Sequence, residues 1–312
     1  LGSFGAHQLS PDEITRVAAD IRTRSSAPFA LNLWISTFDT GGDTLDAATF
    51  ERVWPLFAPW FAELGLPCPQ PPATVHADFE AQVEALLAVE PAAFSFVFGI
   101  PRAEILQHCR LRGIYTIGAA TSIAEAQALE AAGVDAVVAS GFEAGGHRPS
   151  FLARAEDSLM GTFVLVPLIA DRVQIPVIAA GGIADGRALR AALTLGAQAT
   201  QIGTAFLACE ESAASDAHRQ ALFGPQALQT TLTRAFSGRL ARGLRNQWTD
   251  AMATRSAEFA PFPVQSWFTG QMRAAALAQQ RSDLVSLWSG QIAPNLRHRS
   301  AGDLIAALVE FV

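Results

Sequence analysis

From the first residue to about position 207, short apolar runs rich in Val, Ile and Phe alternate with segments of helical periodicity. The pattern predicts strands near 2–5, 29–35, 93–99, 113–119, 135–141, 176–182 and 199–206, with helices between them and loops across 36–76. Strand and helix in regular alternation point to a parallel sheet or barrel. Ser10-Pro11-Asp12-Glu13 predicts an N-cap, a proline in the first turn and a capping glutamate, so a helix should run to about Arg24. Ser122 with Glu125 predicts a second capping box, ended at Gly133, while Asp185 and Gly196 bracket another helix.

Two stretches read as copies of one unit, LEAAGVDAVVASG at 129–141 and ALTLGAQATQIGT at 192–204. Each is a helix end, a glycine turn and a buried strand that finishes in glycine. Such repetition suits a (β/α)8 TIM barrel better than an open sheet with a switch point, and it leaves both standing. After Leu207 the spacing turns helical with no convincing buried strand. The chain therefore divides into a barrel over 1–208, a helical substrate-side domain over 209–283, and a segment over 284–312 that packs back on the barrel. Leu304, Ile305, Leu308 and Val309 form the expected stripe of the last helix.

Composition narrows the chemistry. Half of the 312 residues are apolar, enough for a large core, yet no apolar run approaches the ~20 residues of a membrane helix. The first twenty residues lack a basic region followed by a long apolar one, so a cytoplasmic location is expected. Cys68, Cys109 and Cys209 are widely spaced, and no His or Cys pair has the spacing of metal ligands, so neither disulfide framework nor metal is expected. A net charge of −7 without a basic stripe argues against nucleic acid. The chain has no lysine, and Schiff-base, pyridoxal-phosphate and Walker-A chemistry all require one.

In a barrel the site lies at the C-terminal ends of the strands, and three such ends stand out. Gly181 and Gly182 follow a strand and precede a helix, a place where backbone N–H groups can meet phosphate. Gly203 and Thr204 close the next strand, beside Gln201. The third end is ASGFEAGGHRPS, in which Gly141, Gly145 and Gly146 carry His147 and Arg148 over the mouth. His7, His76, His108, His218 and His298 have no partner motif nearby.

These residues are the ones that carry a resemblance. GFEAGGHR, PVIAAGGIADGRALRAALTLGAQATQIGTAFLACEES and LTRAFSGRLARGLRN, with LWSGQ near the end, together resemble the nitronate monooxygenase family, formerly called 2-nitropropane dioxygenases. The resemblance implies an FMN-containing TIM barrel that oxidises nitronates or nitroalkanes with O2 to carbonyl compounds and nitrite. It places His147 as the base for neutral nitroalkanes or as a hydrogen-bonding group for nitronates. It also implies that one electron passes to the flavin and that O2 captures the radicals formed. Gly181, Gly182, Gly203 and Thr204 would hold the flavin phosphate with Gln201 alongside, and Asn32 and Gly145 would lie by the ring. Arg148 would attract an anionic nitronate or form an ion pair at the rim.

Two departures qualify this. Ser140 stands where many relatives have Gln, which shortens or removes a flavin or substrate contact. The chain also opens at LGSFGA, without the family's first strand and helix, so seven barrel strands are expected and a longer native protein. Related barrels reduce FMN with NAD(P)H and act on quinones or enoyl-acyl-carrier proteins, and a flavin-free barrel binding a phosphorylated ligand is a further reading. A small-molecule substrate is expected in each case. A homodimer stays open.

Overall fold

The structure, a computed structural model, describes residues 1–310; positions 311 and 312 of the expected C-terminal segment lie outside the described residues. The chain begins with β1 (Gly2–Gly5), α1 (Pro11–Arg24), β2 (Phe29–Trp34), α2 (Ala47–Glu63), α3 (Phe79–Val89) and β3 (Ala93–Val97). It continues through α4 (Ala103–Leu111), β4 (Tyr115–Ala120), α5 (Ile123–Ala131), β5 (Ala136–Ser140), the two-residue β6 (Gly146–His147), α6 (Thr162–Ala170) and β7 (Val177–Ala180). Next come α7 (Gly186–Thr194), β8 (Ala199–Gln201), α8 (Thr204–Leu207) and α9 (Asp216–Phe223). Last are β9 (Thr230–Thr233), β10 (Ala241–Leu244), α10 (Gln247–Met252), α11 (Val264–Ala278) and α12 (Ala301–Val309).

Seven strands pair in parallel in the order β1-β2-β3-β4-β5-β7-β8, curled into a half-barrel of the TIM type. This is the number and the order of strands expected from the alternation. Side chains alternate along each strand. Leu31, Leu33, Phe94, Phe96, Val137 and Ala179 point outward into the main core beneath the helices. Ala30, Ala93, Ile117, Ala119, Ala136, Val138 and Ala180 line the inner face, which is small in volume and leaves room at its C-terminal end. β1 and β8 are the edges, and every residue of β1 is exposed.

The capping box at Ser10 and Glu13 is present as expected. At Ser122 it is not: the hydroxyl caps Glu125 N–H, but the Glu125 carboxylate turns elsewhere. It accepts Thr121 N–H and O–H at 2.7 Å each, Phe151 N–H at 2.6 Å and Leu152 N–H at 3.1 Å. A fully buried carboxylate needs several donors, and the end of β4 with the loop at 151–152 supplies four.

A second apolar core joins Val53 and Phe57 of α2 to Trp248 of α10, Phe268 and Met272 of α11, and Leu284. Two expectations fail here. The segment 36–76 is not all loop, since α2 occupies seventeen residues of it. Strands do follow Leu207: β9, β10 and β6 form an antiparallel sheet in the order β6-β10-β9, and all four residues of β10 are buried. The run is short and carries Arg242 at its centre, so its hydrophobic signal is weak. The stripe on α12 is also narrower than expected, with Leu304 and Leu308 buried against Ala184, Ala205 and Cys209 but Ile305 and Val309 exposed.

Candidate active site

His147 is a strand residue. β6 pairs with β10 through His147 and Ala241, and the loop that delivers it from β5 is pinned at four points. The Glu143 carboxylate accepts Thr162 N–H and O–H at 2.8 and 2.9 Å, at the start of α6. Arg148, 1% exposed, donates through Nη1 to Gly141 O and through Nη2 to Ser158 O. Glu125 holds the amides of Phe151 and Leu152 as described, and Arg242 donates to Phe142 O while its guanidinium lies 4.3 Å over the Phe142 ring. Arg148 is thus a buried clamp on this loop and not an exposed ion pair, and it also lines a cavity with Ser150 and Arg239. Burial, then Arg242, lowers it to about 10, which leaves it charged at neutral pH.

Around His147 the walls are aromatic. Trp34, from the end of β2, meets its ring edge-on at 4.9 Å; Trp288 lies at 5.2 Å and Phe98 at 6.3 Å. His7, at the end of β1, stacks flat on Trp34 at 4.0 Å and is held by Gln82 of α3, whose amide donates to His7 O and Leu9 O. Phe98 sits at φ 65°, a backbone region costly for a bulky side chain, which turns its ring toward Trp34. Arg239 is clasped between Phe98 and Phe262, 4.3 and 4.2 Å from their centroids, and bonds the Asp39 carboxylate at 2.8 Å and Ser36 at 2.9 Å. The same guanidinium lines a cavity of about 350 Å³ with Asp39, Ser150 and Arg234.

The imidazole has one fixed partner, Ser237 Oγ, 2.7 Å from Nε2. Burial, then the Arg239 and His7 charges, lowers His147 to about 3; burial, then Arg239, lowers His7 to about 4. Both rings are neutral at working pH. Their folded values lie below the ordinary 6.5, so the unfolded chain binds protons first on acidification. Stability should therefore hold above pH 6.5 and fall below it by about 1.4 kcal/mol per pH unit for each ring, down to about pH 4 for His7 and about pH 3 for His147. Urea midpoints measured from pH 7 to pH 4 should show that decline, and His147→Asn should make it shallower.

Beside the loop that carries His147 lie the expected nucleotide residues, since a Cβ on Gly181 would lie 2.9 Å from Ala144 N. β7 and β8 pair as far as Ala180 and Gln201, so Gly181-Gly182 and Gly203-Thr204 leave the sheet side by side. Gly181 and Gly182 adopt φ 102° and 76°, which favours glycine, whereas Gly203 has an ordinary φ of −101° and a Cβ built there would meet nothing within 4 Å. Neither backbone conformation nor packing within the protein requires glycine at 203. Ser140, buried at the end of β5, pairs with Ala180 beside this turn. Asn32, on the inner face of β2, donates to Ser95 Oγ at 3.0 Å. Gly145 and Thr204 converge on Gly290: its amide donates to Thr204 Oγ at 2.9 Å, and a Cβ on Gly145 would lie 2.4 Å from that nitrogen. Gln201 is exposed at the edge.

Several residues of this site escaped the sequence reading. His7 was set aside as an isolated loop histidine, and Ser237, Arg239, Trp34 and Trp288 carried no independent signal. His218, likewise without a partner motif in the chain, donates Nε2–H to Trp288 O at 3.0 Å and so holds one wall. The signal the chain offers is the run FSGR followed by LARG, with two arginines, Arg239 and Arg242, in an otherwise apolar stretch. Among the described residues no group of three or more His, Cys, Asp or Glu could hold a metal ion, and no helix is long and apolar enough to cross a membrane.

Comparison with known proteins places this arrangement. A family model described as nitronate monooxygenase matches residues 1–310. A nitronate monooxygenase of Paraburkholderia phytofirmans is 40% identical over 313 residues, covering 99% of this chain and 84% of the relative. One from Pseudomonas aeruginosa is 40% identical over 317 residues, covering 99% and 88%. Among solved structures, a nitroalkane oxidase from Streptomyces ansochromogenes superposes with a TM-score of 0.89 at 33% identity, covering 99% of this chain and 87% of that one. FabK from Thermotoga maritima gives 0.73 at 25% identity, covering 100% and 84%.

Proposed function

Because the chain belongs to the nitronate monooxygenase family, we propose that it is an FMN-dependent enzyme that oxidises nitronates with O2 to carbonyl compounds and nitrite, and that neutral nitroalkanes are poor substrates. The observation that carries the reading is His147: a neutral imidazole in an aromatic box, anchored at Nε2 at the end of a loop that packs against Gly181.

The donor set suits FMN. Gly181, Gly182, Gly203 and Thr204 offer backbone amides to the phosphate where the two strands end, and open space at Gly203 leaves the approach clear. Asn32 and Ser140 lie on the inner face where the ring would run, and Gly145 lies in the loop beyond, against Gly290. When bound, FMN supplies acceptance of an electron from the substrate and passage of reducing equivalents to O2.

The protein's own part is to bind, orient and keep dry. A nitronate is already an anion, so no proton must be removed. An imidazole lowered to about 3 is a weak base for a nitroalkane α-proton, because general bases work best near the operating pH. As a hydrogen-bonding group to the nitro oxygens the same imidazole is well placed. Trp34, Phe98 and Trp288 exclude water around it, which strengthens that bond, and the Arg239 guanidinium favours an anion nearby.

The test is direct. Purified protein should be yellow, consume O2 with an alkyl nitronate, and react with the corresponding nitroalkane at least ~10²-fold more slowly, the loss typical of a missing general base. Anaerobic mixing with NADH or NADPH should leave the flavin absorbance unchanged; rapid bleaching would support a reductase instead. Gly203→Ala should leave the unfolding free energy from urea titration within about 0.5 kcal/mol of wild type, as for an unstrained surface change. Its FMN affinity, titrated on the apoprotein, should drop at least about tenfold. Undiminished affinity would remove Gly203 from the phosphate site.

A further inference from the structure

We propose that Ser237 is the positioning residue that sets the tautomer of His147, donating its hydroxyl proton to Nε2 so that Nδ1 carries the hydrogen and faces the substrate as a donor. The inference deepens the reading above and rests on it for its catalytic consequence, though not for the tautomer itself.

The argument begins with a single proton. The Ser237 hydroxyl has two acceptors in reach, His147 Nε2 at 2.7 Å and Arg239 O at 3.2 Å. The imidazole nitrogen is nearer by half an ångström and is the more basic acceptor. The hydroxyl oxygen meanwhile accepts Arg239 N–H at 3.3 Å, which fills the turn and leaves the proton to point at the ring. Ser237 is 4% exposed, so water does not compete for it. With Nε2 accepting, a neutral ring must carry its hydrogen on Nδ1. Nδ1 has no partner among the described residues and is not fully enclosed, which leaves it as the ring nitrogen available to a substrate.

The surroundings keep Ser237 where this requires. Gly238, at φ 87°, makes the turn between Ser237 and Arg239. Ala235 O accepts Trp248 Nε1–H at 3.2 Å and Gln265 Nε2–H at 2.8 Å, and Phe236 O accepts Thr269 O–H at 2.6 Å. Helices α10 and α11 thus clamp the two residues before Ser237. The Asp39–Arg239 pair clamps the one beyond the turn.

A donor at Nδ1 serves an anion: its bond to a nitronate oxygen is charge-assisted, and the same nitrogen has no lone pair with which to take a proton. The tautomer therefore selects between the two roles that the family resemblance left for this histidine. Selection of an anionic over a neutral substrate becomes a property of Ser237 as well as of His147.

Long-range ¹H–¹⁵N correlation on histidine-labelled protein, with the His147 signals assigned by their loss in His147→Asn, reads the tautomer without turnover. The expected spectrum shows Nδ1 protonated and Nε2 unprotonated in wild type and in Ser237→Thr. In Ser237→Ala the preference should be lost. Kinetically, Ser237→Ala should lower kcat/KM for a nitronate about tenfold, the worth of one charge-assisted bond, and nitroalkane turnover less, so that the ratio between them falls. Ser237→Thr should restore the ratio. A general packing defect would lower both rates alike and leave the ratio unchanged, which would overturn the proposal. Protonation of Nε2 in the wild-type spectrum would overturn it outright. If the spectra are as expected while wild type turns over no nitronate, the tautomer assignment stands and the functional reading falls.

Discussion

His147→Ala is expected to lower kcat/KM for an alkyl nitronate by roughly 10² to 10³ while the protein keeps its yellow flavin. That range is what removal of one preorganised donor facing developing charge costs in a water-excluded site. The site meets those conditions, since Trp34, Trp288 and Phe98 surround the ring and Ser237 fixes its plane. The flavin should stay because the proposed phosphate loops at 181–182 and 203–204 belong to β7, β8 and α8, which His147 does not build. Steady-state O2 consumption with the nitronate, alongside the flavin-to-protein absorbance ratio, checks both halves. A variant that keeps wild-type turnover would remove His147 from the mechanism; one that loses the flavin would make it a structural residue.

Gly238→Ala should be strongly destabilising for a single-methyl change, costing about 3 kcal/mol or more. The reason is twofold. The residue sits at φ 87°, and a Cβ there would lie 2.6 Å from Ala260 O and 2.7 Å from Phe262 N, both backbone atoms that cannot swing aside. Relief requires moving either the Ala260–Phe262 segment, whose Phe262 ring holds Arg239, or the turn itself, which carries Ser237. Stability and nitronate turnover should therefore fall together, read as the urea midpoint and kcat/KM on the same preparation. A wild-type midpoint would show that the turn relaxes without strain. Gly203→Ala is the matching control, because the same methyl group there meets no protein atom within 4 Å.

The two glycines show where sequence reading succeeds and where it stops. Gly203 was legible because a glycine after an apolar strand, one unit along from Gly181-Gly182, repeats a local pattern whose consequence is also local: backbone amides at a strand end. Gly238 was not, because what makes it obligatory is a carbonyl more than twenty residues away in the chain. The same division runs through the histidines. His147 announced itself by glycines on both sides. His7 did not, although it stacks on Trp34 in the same site, since nothing near it in the chain distinguishes it from a surface histidine until β1 and β2 pair and set it on the indole.

The rim ion pair offered as one role of Arg148 and the capping box expected at Glu125 are both absent, for a related reason. A charged residue in a sequence defaults to the surface, and only the packed loop reveals that both are almost wholly buried and engaged by several partners. Arg242 likewise masked β10: a strand with a charge at its centre has no continuous apolar run, and its burial depends on Phe142 and Thr230 being brought against it.

What the sequence determined by itself is the part written in short-range periodicity: seven parallel strands in order, the capped helix at Ser10, the glycine loops at two adjacent strand ends, and a histidine at a third. Those features follow from the conformational preferences of residues within a few positions of one another. The tertiary structure alone decided the environment of that histidine: the aromatic walls from Trp34, Phe98 and Trp288, the Arg239 charge, and the hydroxyl of Ser237 ninety residues along the chain. The basicity of an imidazole and the nitrogen that bears its hydrogen depend on burial and on partners in space, and chain spacing encodes neither.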